Sequence, residues 1–131
     1  MIRYKYVSHV NPPAPFINVS VRCPTTGHQV ENVPAQVDTG ADRTVLPKAV
    51  VTALGLVEVG LFLCEGFGSQ VMNLPLYLVE VRLHDLPGLV VRAVLGEREP
   101  WVLLGRDVLN AYRLLLDGPQ LALEIDRPAA G

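Results

Sequence analysis

Prolines and glycines punctuate this chain from end to end, eleven of each and nowhere clustered, and that spacing leaves little room for long helices. A proline removes a backbone donor and a glycine weakens the interior of any element, so the chain is cut into many short segments joined by turns. Several segments alternate apolar and polar residues. Ile2-Arg3-Tyr4-Lys5-Tyr6 does so, and residues 16–21 do so again, as expected of strands buried on one face. Half of the 131 residues are hydrophobic, enough to build a core in one domain.

Turn and cap chemistry marks the remaining boundaries. Cys23-Pro24-Thr25-Thr26-Gly27 reads as a turn, and a strand over about Gln29–Val37 runs straight into Asp38-Thr39-Gly40. A short helix is expected from Leu46-Pro47 to Leu54, with Pro47 at its first position and Gly55 just past its end. Strands are expected over 57–64 and 71–83 around a tip at Glu65-Gly66-Phe67-Gly68-Ser69, and again over 89–95. Trp101-Val102-Leu103-Leu104 is an apolar run too short for a helix, and Gly105-Arg106-Asp107 starts a helix of about two turns that ends near Tyr112. Residues 113–116 and 120–125 form a hairpin around Asp117-Gly118-Pro119. A single domain over 1–131 is expected, mainly β, with its core at about 16–126 and a disordered tail at 127–131.

Composition excludes several functions. The net charge of −2 with mixed signs carries no basic footprint for nucleic acid. No apolar run approaches the roughly 18 residues that span a bilayer, so no membrane partner is expected. The opening MIRYKYVSHVNPPAP has no continuous apolar stretch, which argues against a cleaved secretory leader. Cys23 and Cys64 fit no metal or redox spacing and read as reduced thiols of a cytoplasmic protein. His9, His28 and His84 are too scattered for a metal site, and no cofactor is expected.

The chemistry concentrates in Val37-Asp38-Thr39-Gly40-Ala41-Asp42-Arg43-Thr44-Val45-Leu46. Asp-Thr-Gly alone is a common turn sequence. Here the aspartate ends an apolar strand and more apolar residues follow, which places a carboxylate at the rim of a β core. Asp38-Thr39-Gly40-Ala41-Asp42 followed by Thr44-Val45-Leu46 resembles the active-site loop of the retropepsin-like aspartic proteases, the retroviral proteases and their cellular and bacterial relatives. Leu103-Leu104-Gly105-Arg106-Asp107 resembles the block that opens that family's C-terminal helix, and the glycines near position 67 lie where the family carries its flap.

The resemblance implies a closed or partly open β-barrel with one or two short helices, and an aspartic endopeptidase acting on peptide or protein substrates. Such enzymes use two facing carboxylates that share one proton, because like charges so close do not both ionise. This chain has one Asp-Thr-Gly, and Asp117-Gly118 lacks the threonine, so the pepsin-like arrangement within one chain is excluded. A homodimer supplies the second Asp38 by symmetry. Asp38, Thr39 and Gly40 are then the catalytic loop, with the Thr39 hydroxyls bonding across the axis. Ala41, Asp42, Gly66, Phe67, Gly68, Trp101 and Leu103 are the expected substrate-binding residues, and Arg106 the support that pairs with Asp42.

Plainer readings stand beside these. Arg106 alone reads as a surface arginine, the glycines near 67 as an ordinary hairpin tip, and Trp101 and Leu103 as core. Asp107 reads as a charge at a helix N-terminus. Ala41 has no hydroxyl to offer an ionised Asp38, which predicts a rate maximum in the weakly acidic range. Arg43 puts a positive charge beside the site and hints at acidic substrates. Leu121, Leu123 and Ile125 alternate, so the C-terminal hairpin is a candidate dimer contact, against packing within the subunit. The competing function is a catalytically weak dimerisation or peptide-binding module on the same fold.

Overall fold

The computed structural model describes residues 1–65 and 70–126. The lid expected at Gly66, Phe67 and Gly68 and the tail expected at 127–131 lie outside the described residues. In chain order the elements are β1 (Ile2–Lys5), β2 (Phe16–Arg22), β3 (Gln29–Val37), β4 (Val45–Pro47), α1 (Lys48–Leu54), β5 (Glu58–Glu65), β6 (Val71–Leu83), β7 (Leu89–Gly96), β8 (Val102–Leu104), α2 (Arg106–Leu109), β9 (Arg113–Asp117) and β10 (Ala122–Asp126).

Six strands close on themselves. The hydrogen-bonded order runs β2-β3-β8-β4-β7-β6, and β6 returns to β2 through Val19↔Leu83 and Val21↔Val81. The result is a closed six-strand barrel, the mainly β architecture expected from the sequence. Closure leaves the ring without an exposed edge. β5 hangs outside it on β6, and β1-β10-β9 form a separate three-stranded sheet.

Period-two alternation decides which side chains enter the barrel. Ile17, Val19 and Val21 of β2, Val33, Ala35 and Val37 of β3, Val79, Val81 and Leu83 of β6, and Val102 and Leu104 of β8 are all buried. Leu46, Leu54 and Val108 complete this core with Leu123 and Ile125. Two prolines inside strands, Pro34 and Pro75, sit where a neighbour has run out. Pro34 lies one residue before β8 joins β3 at Ala35, and Pro75 one residue before β7 joins β6 at Leu76, so a missing N–H costs little there.

Helix punctuation differs from expectation in two places. α1 begins at Lys48, one residue after Pro47, which is its N-cap in extended conformation (φ −61°). Gly55 ends it in the left-handed region (φ 57°), as a glycine there permits. α2 has four residues rather than two turns. Ala111 and Tyr112 donate to Val108 and Leu109, three residues back, so the chain tightens into a turn and leaves for β9.

In the C-terminal hairpin, two of the three alternating residues, Leu123 and Ile125, pack within the subunit. β10 lies between β1 and β9 with both edges paired, and Leu123 and Ile125 are buried in the subunit's own core. What the hairpin leaves exposed is Leu115 and Leu116 on β9, and Leu121 at the turn. β1 is tied to β10 from Ile2↔Ile125 to Lys5↔Ala122, and Tyr4 and Tyr6 pack against the core, so residues before 16 contribute to it. Among the described residues no helix is long and apolar enough to cross a membrane.

Candidate active site

Asp38 sits one residue past the end of β3. Its N–H donates to Leu104 O at 3.0 Å, which extends the parallel β3–β8 pairing by one bond and fixes where the side chain leaves the barrel. Since Val37 is buried, the pleat turns Asp38 to the opposite face, the one shared by Gln36. Asp38 is half-buried there. The chain then folds back tightly. Gly40 N–H donates to Asp38 Oδ1 at 3.1 Å, and Ala41 N–H to Asp38 O at 3.1 Å. A Cβ on Gly40 would lie 3.3 Å from Asp38 Oδ1, so the carboxylate occupies the space a side chain would need.

The 104–107 segment holds this loop from below. Arg106 N–H donates to Ala41 O at 2.9 Å, Arg106 Nη1 donates to Thr39 O at 2.8 Å, and Nη2 pairs with Asp42 Oδ1. One planar guanidinium thus bridges two points of the loop, which a single ammonium would not match. The ion pair is more than a third exposed on both sides, so it serves geometry more than stability.

Deeper in, Thr44 is fully buried. Its N–H reaches both Asp107 oxygens at 3.0 Å, its hydroxyl donates to Asp107 Oδ1 at 2.7 Å, and it accepts from Gly105 N–H at 3.2 Å. Asp107 does lie in the first turn of α2, but its carboxylate is spent on Thr44. Gly105 makes the approach feasible, since a Cβ there would stand 2.4 Å from the Arg43 carbonyl carbon. Sequence reasoning missed this clamp. The signal for it was a lone threonine within an apolar run opposite an aspartate at a helix start.

The exposed Thr39 hydroxyl has no hydrogen-bond partner among the described residues of the subunit. Beside the loop opens a cavity of about 430 Å³, lined among others by Ala41, Asp42, Arg43, Val45, Phe62 and Cys64. Phe62 and Cys64 alternate along β5 and face Leu74 and Met72 of β6, so one face of the β5–β6 hairpin covers the loop. Leu103 pairs with Gln36 and is half-buried on the same face as Asp38, but it does not line this cavity. Trp101 does not line it either. Its Nε1–H donates to Gln36 Oε1 at 3.0 Å and its ring meets Phe16 edge-on at 5.0 Å, with His9 at 6.3 Å. Among the described residues no cluster of His, Cys, Asp or Glu could hold a metal ion.

The closed barrel, the strand-end aspartate loop and the helix block behind it define a retropepsin-like fold. The solved structure of a retropepsin-like aspartic protease from Rickettsia conorii is similar, with a TM-score of 0.67 at 18% identity over 98% of this chain and 92% of that one. Lesser likenesses are EIAV protease in complex with an inhibitor (TM-score 0.49, 22% identity, 74% and 86% covered) and the retroviral protease-like domain of Ddi1 from Leishmania major (0.49, 18%, 85% and 88%). No family model and no curated protein matches the sequence.

Proposed function

We propose that the chain is an aspartic endopeptidase whose active site forms at a homodimer axis, where two copies of Asp38 share one proton. The observation that carries this reading is the state of the loop within one subunit. Asp38 is held by Gly40 N–H on the face turned away from the core, and the neighbouring Thr39 hydroxyl has no partner among the described residues of its own chain. A second copy across a two-fold axis would satisfy both features by presenting the same two residues.

In the reaction, the ionised Asp38 takes a proton from a water held between the two carboxylates, while its protonated twin donates to the scissile carbonyl. The water oxygen bonds to the carbonyl carbon. The C–N bond then breaks as the departing amine takes up a proton from the dyad. Water supplies the new hydroxyl and hydrogen, and the aspartates end as they began. The substrate is an extended peptide segment covered by the β5–β6 hairpin. Trp101 and Leu103 bound it beyond Asp38. The reducing cytoplasm is the proposed compartment, supported by the free thiols of Cys23 and Cys64.

Peptide-library cleavage by wild type and Asp38→Asn, with sedimentation of both, tests the proposal. Wild type is expected to cleave and Asp38→Asn to lose cleavage while remaining a dimer. Cleavage that survives Asp38→Asn, or a stable wild-type dimer inactive at every pH, overturns it.

A further inference from the structure

We infer that Arg43 makes this site select substrates carrying a carboxylate side chain, an inference that rests on the peptidase reading above. Arg43 follows Asp42 in the loop, and its guanidinium lies over the Phe62 ring, 5.2 Å from the centroid. Both residues line the cavity beside the catalytic loop. A cation held over a ring still has N–H donors to offer a ligand. Among the described residues only Nη1 finds an acceptor, Arg92 O at a long 3.4 Å. No carboxylate pairs with Arg43 among the described residues, although Asp42 and Glu65 line the same cavity.

Those two acids do not cancel it. Asp42 is committed to Arg106, which lies behind the loop and outside the cavity lining. Glu65 is exposed at the end of β5, where water and salt screen it. The walls between are apolar, from Ala41, Val45, Leu74 and Val94. A guest side chain therefore meets an apolar channel with one preorganised, under-used fork of donors, the arrangement that favours a glutamate or aspartate over its amide. Phe62 holds that guanidinium against the cavity wall, so the strand that walls the cavity also seats the group that reads the substrate.

The test compares peptides that differ only by Glu or Gln at each position in turn. Their cleavage by wild type, Arg43→Gln, Arg43→Glu and Arg43→Lys is read as the Glu-to-Gln ratio within each variant. The same peptides are titrated by fluorescence anisotropy against Asp38→Asn with and without Arg43→Gln, which needs no turnover. At one position wild type is expected to prefer Glu by roughly tenfold, with the preference shrinking as salt is raised. Arg43→Gln is expected to bring the ratio near one, Arg43→Glu to invert it in favour of Gln, and Arg43→Lys to keep part of it. A ratio near one at every position in wild type, or a Glu preference that survives Arg43→Gln, overturns the inference. Should no peptide be cleaved, the peptidase reading fails by itself, and equal affinities for Glu and Gln peptides would then remove the Arg43 reading as well.

Discussion

Thr44 and Asp107, 63 residues apart in the chain, are joined by three hydrogen bonds, two from the Thr44 N–H and one from its hydroxyl at 2.7 Å. The Thr44 hydroxyl also accepts from Gly105 N–H, so its donor and one lone pair are used inside the core. This buried clamp, with the Arg106 N–H bond to Ala41 O, ties the aspartate loop to the start of α2.

Thr44→Val keeps the shape and removes the hydroxyl. It leaves the buried Gly105 N–H without an acceptor and Asp107 short of its closest donor, at an expected cost of about 2–4 kcal/mol. Urea unfolding should show a lower midpoint with an unchanged slope, and Thr44→Ser should recover most of the loss.

Gly105→Ala places a Cβ 2.4 Å from one backbone atom and 2.7 and 2.8 Å from two more. Backbone cannot swing aside as a flexible side chain does, so destabilisation of about 3 kcal/mol or more is expected. Gly40→Ala meets only the tip of the Asp38 carboxylate at 3.3 Å. It should fold, with a thermal midpoint near wild type, yet lose cleavage because that carboxylate is displaced.

Arg106→Lys separates geometry from stability. With side chains 43% and 69% exposed, the Arg106–Asp42 pair contributes at most about 1 kcal/mol, and the thermal midpoint should barely move. A lysine cannot hold Thr39 O and Asp42 together, so kcat is expected to fall roughly tenfold or more with little change in KM.

Ala41→Ser restores a hydroxyl next to the loop that holds Asp38. A donor there favours an ionised carboxylate, so activity should extend to lower pH than in wild type. The pH profile of kcat/KM for both proteins measures the shift. An unmoved profile would mean that the serine points elsewhere.

Leu123→Ala opens a cavity in the core and should cost about 3 kcal/mol. Leu115→Ser, on the 54% exposed outer side of β9, should stay within about 0.5 kcal/mol of wild type. A weaker dimer in Leu115→Ser by sedimentation would assign the β9 edge to the interface.

What could be read from the sequence alone was local. Period-two alternation marked β1 and β2 because the side chains of a strand point alternately to its two faces. Pro47 and Gly55 bracketed α1 because one cannot continue a helix inward and the other accepts a left-handed angle. Asp38-Thr39-Gly40 was legible because a tight loop around a carboxylate needs those residue types side by side. Only the tertiary structure decided the rest. The return of β6 to β2 that closes the barrel, the burial of β10 between two partners, the move of Trp101 to Gln36 and Phe16, and the Thr44–Asp107 clamp all join residues far apart in the chain. Periodicity records which side of a strand is apolar, but not which distant segment arrives to cover it. A polar pair inside a core leaves no periodic trace at all, because it is stabilised by one partner at one distance.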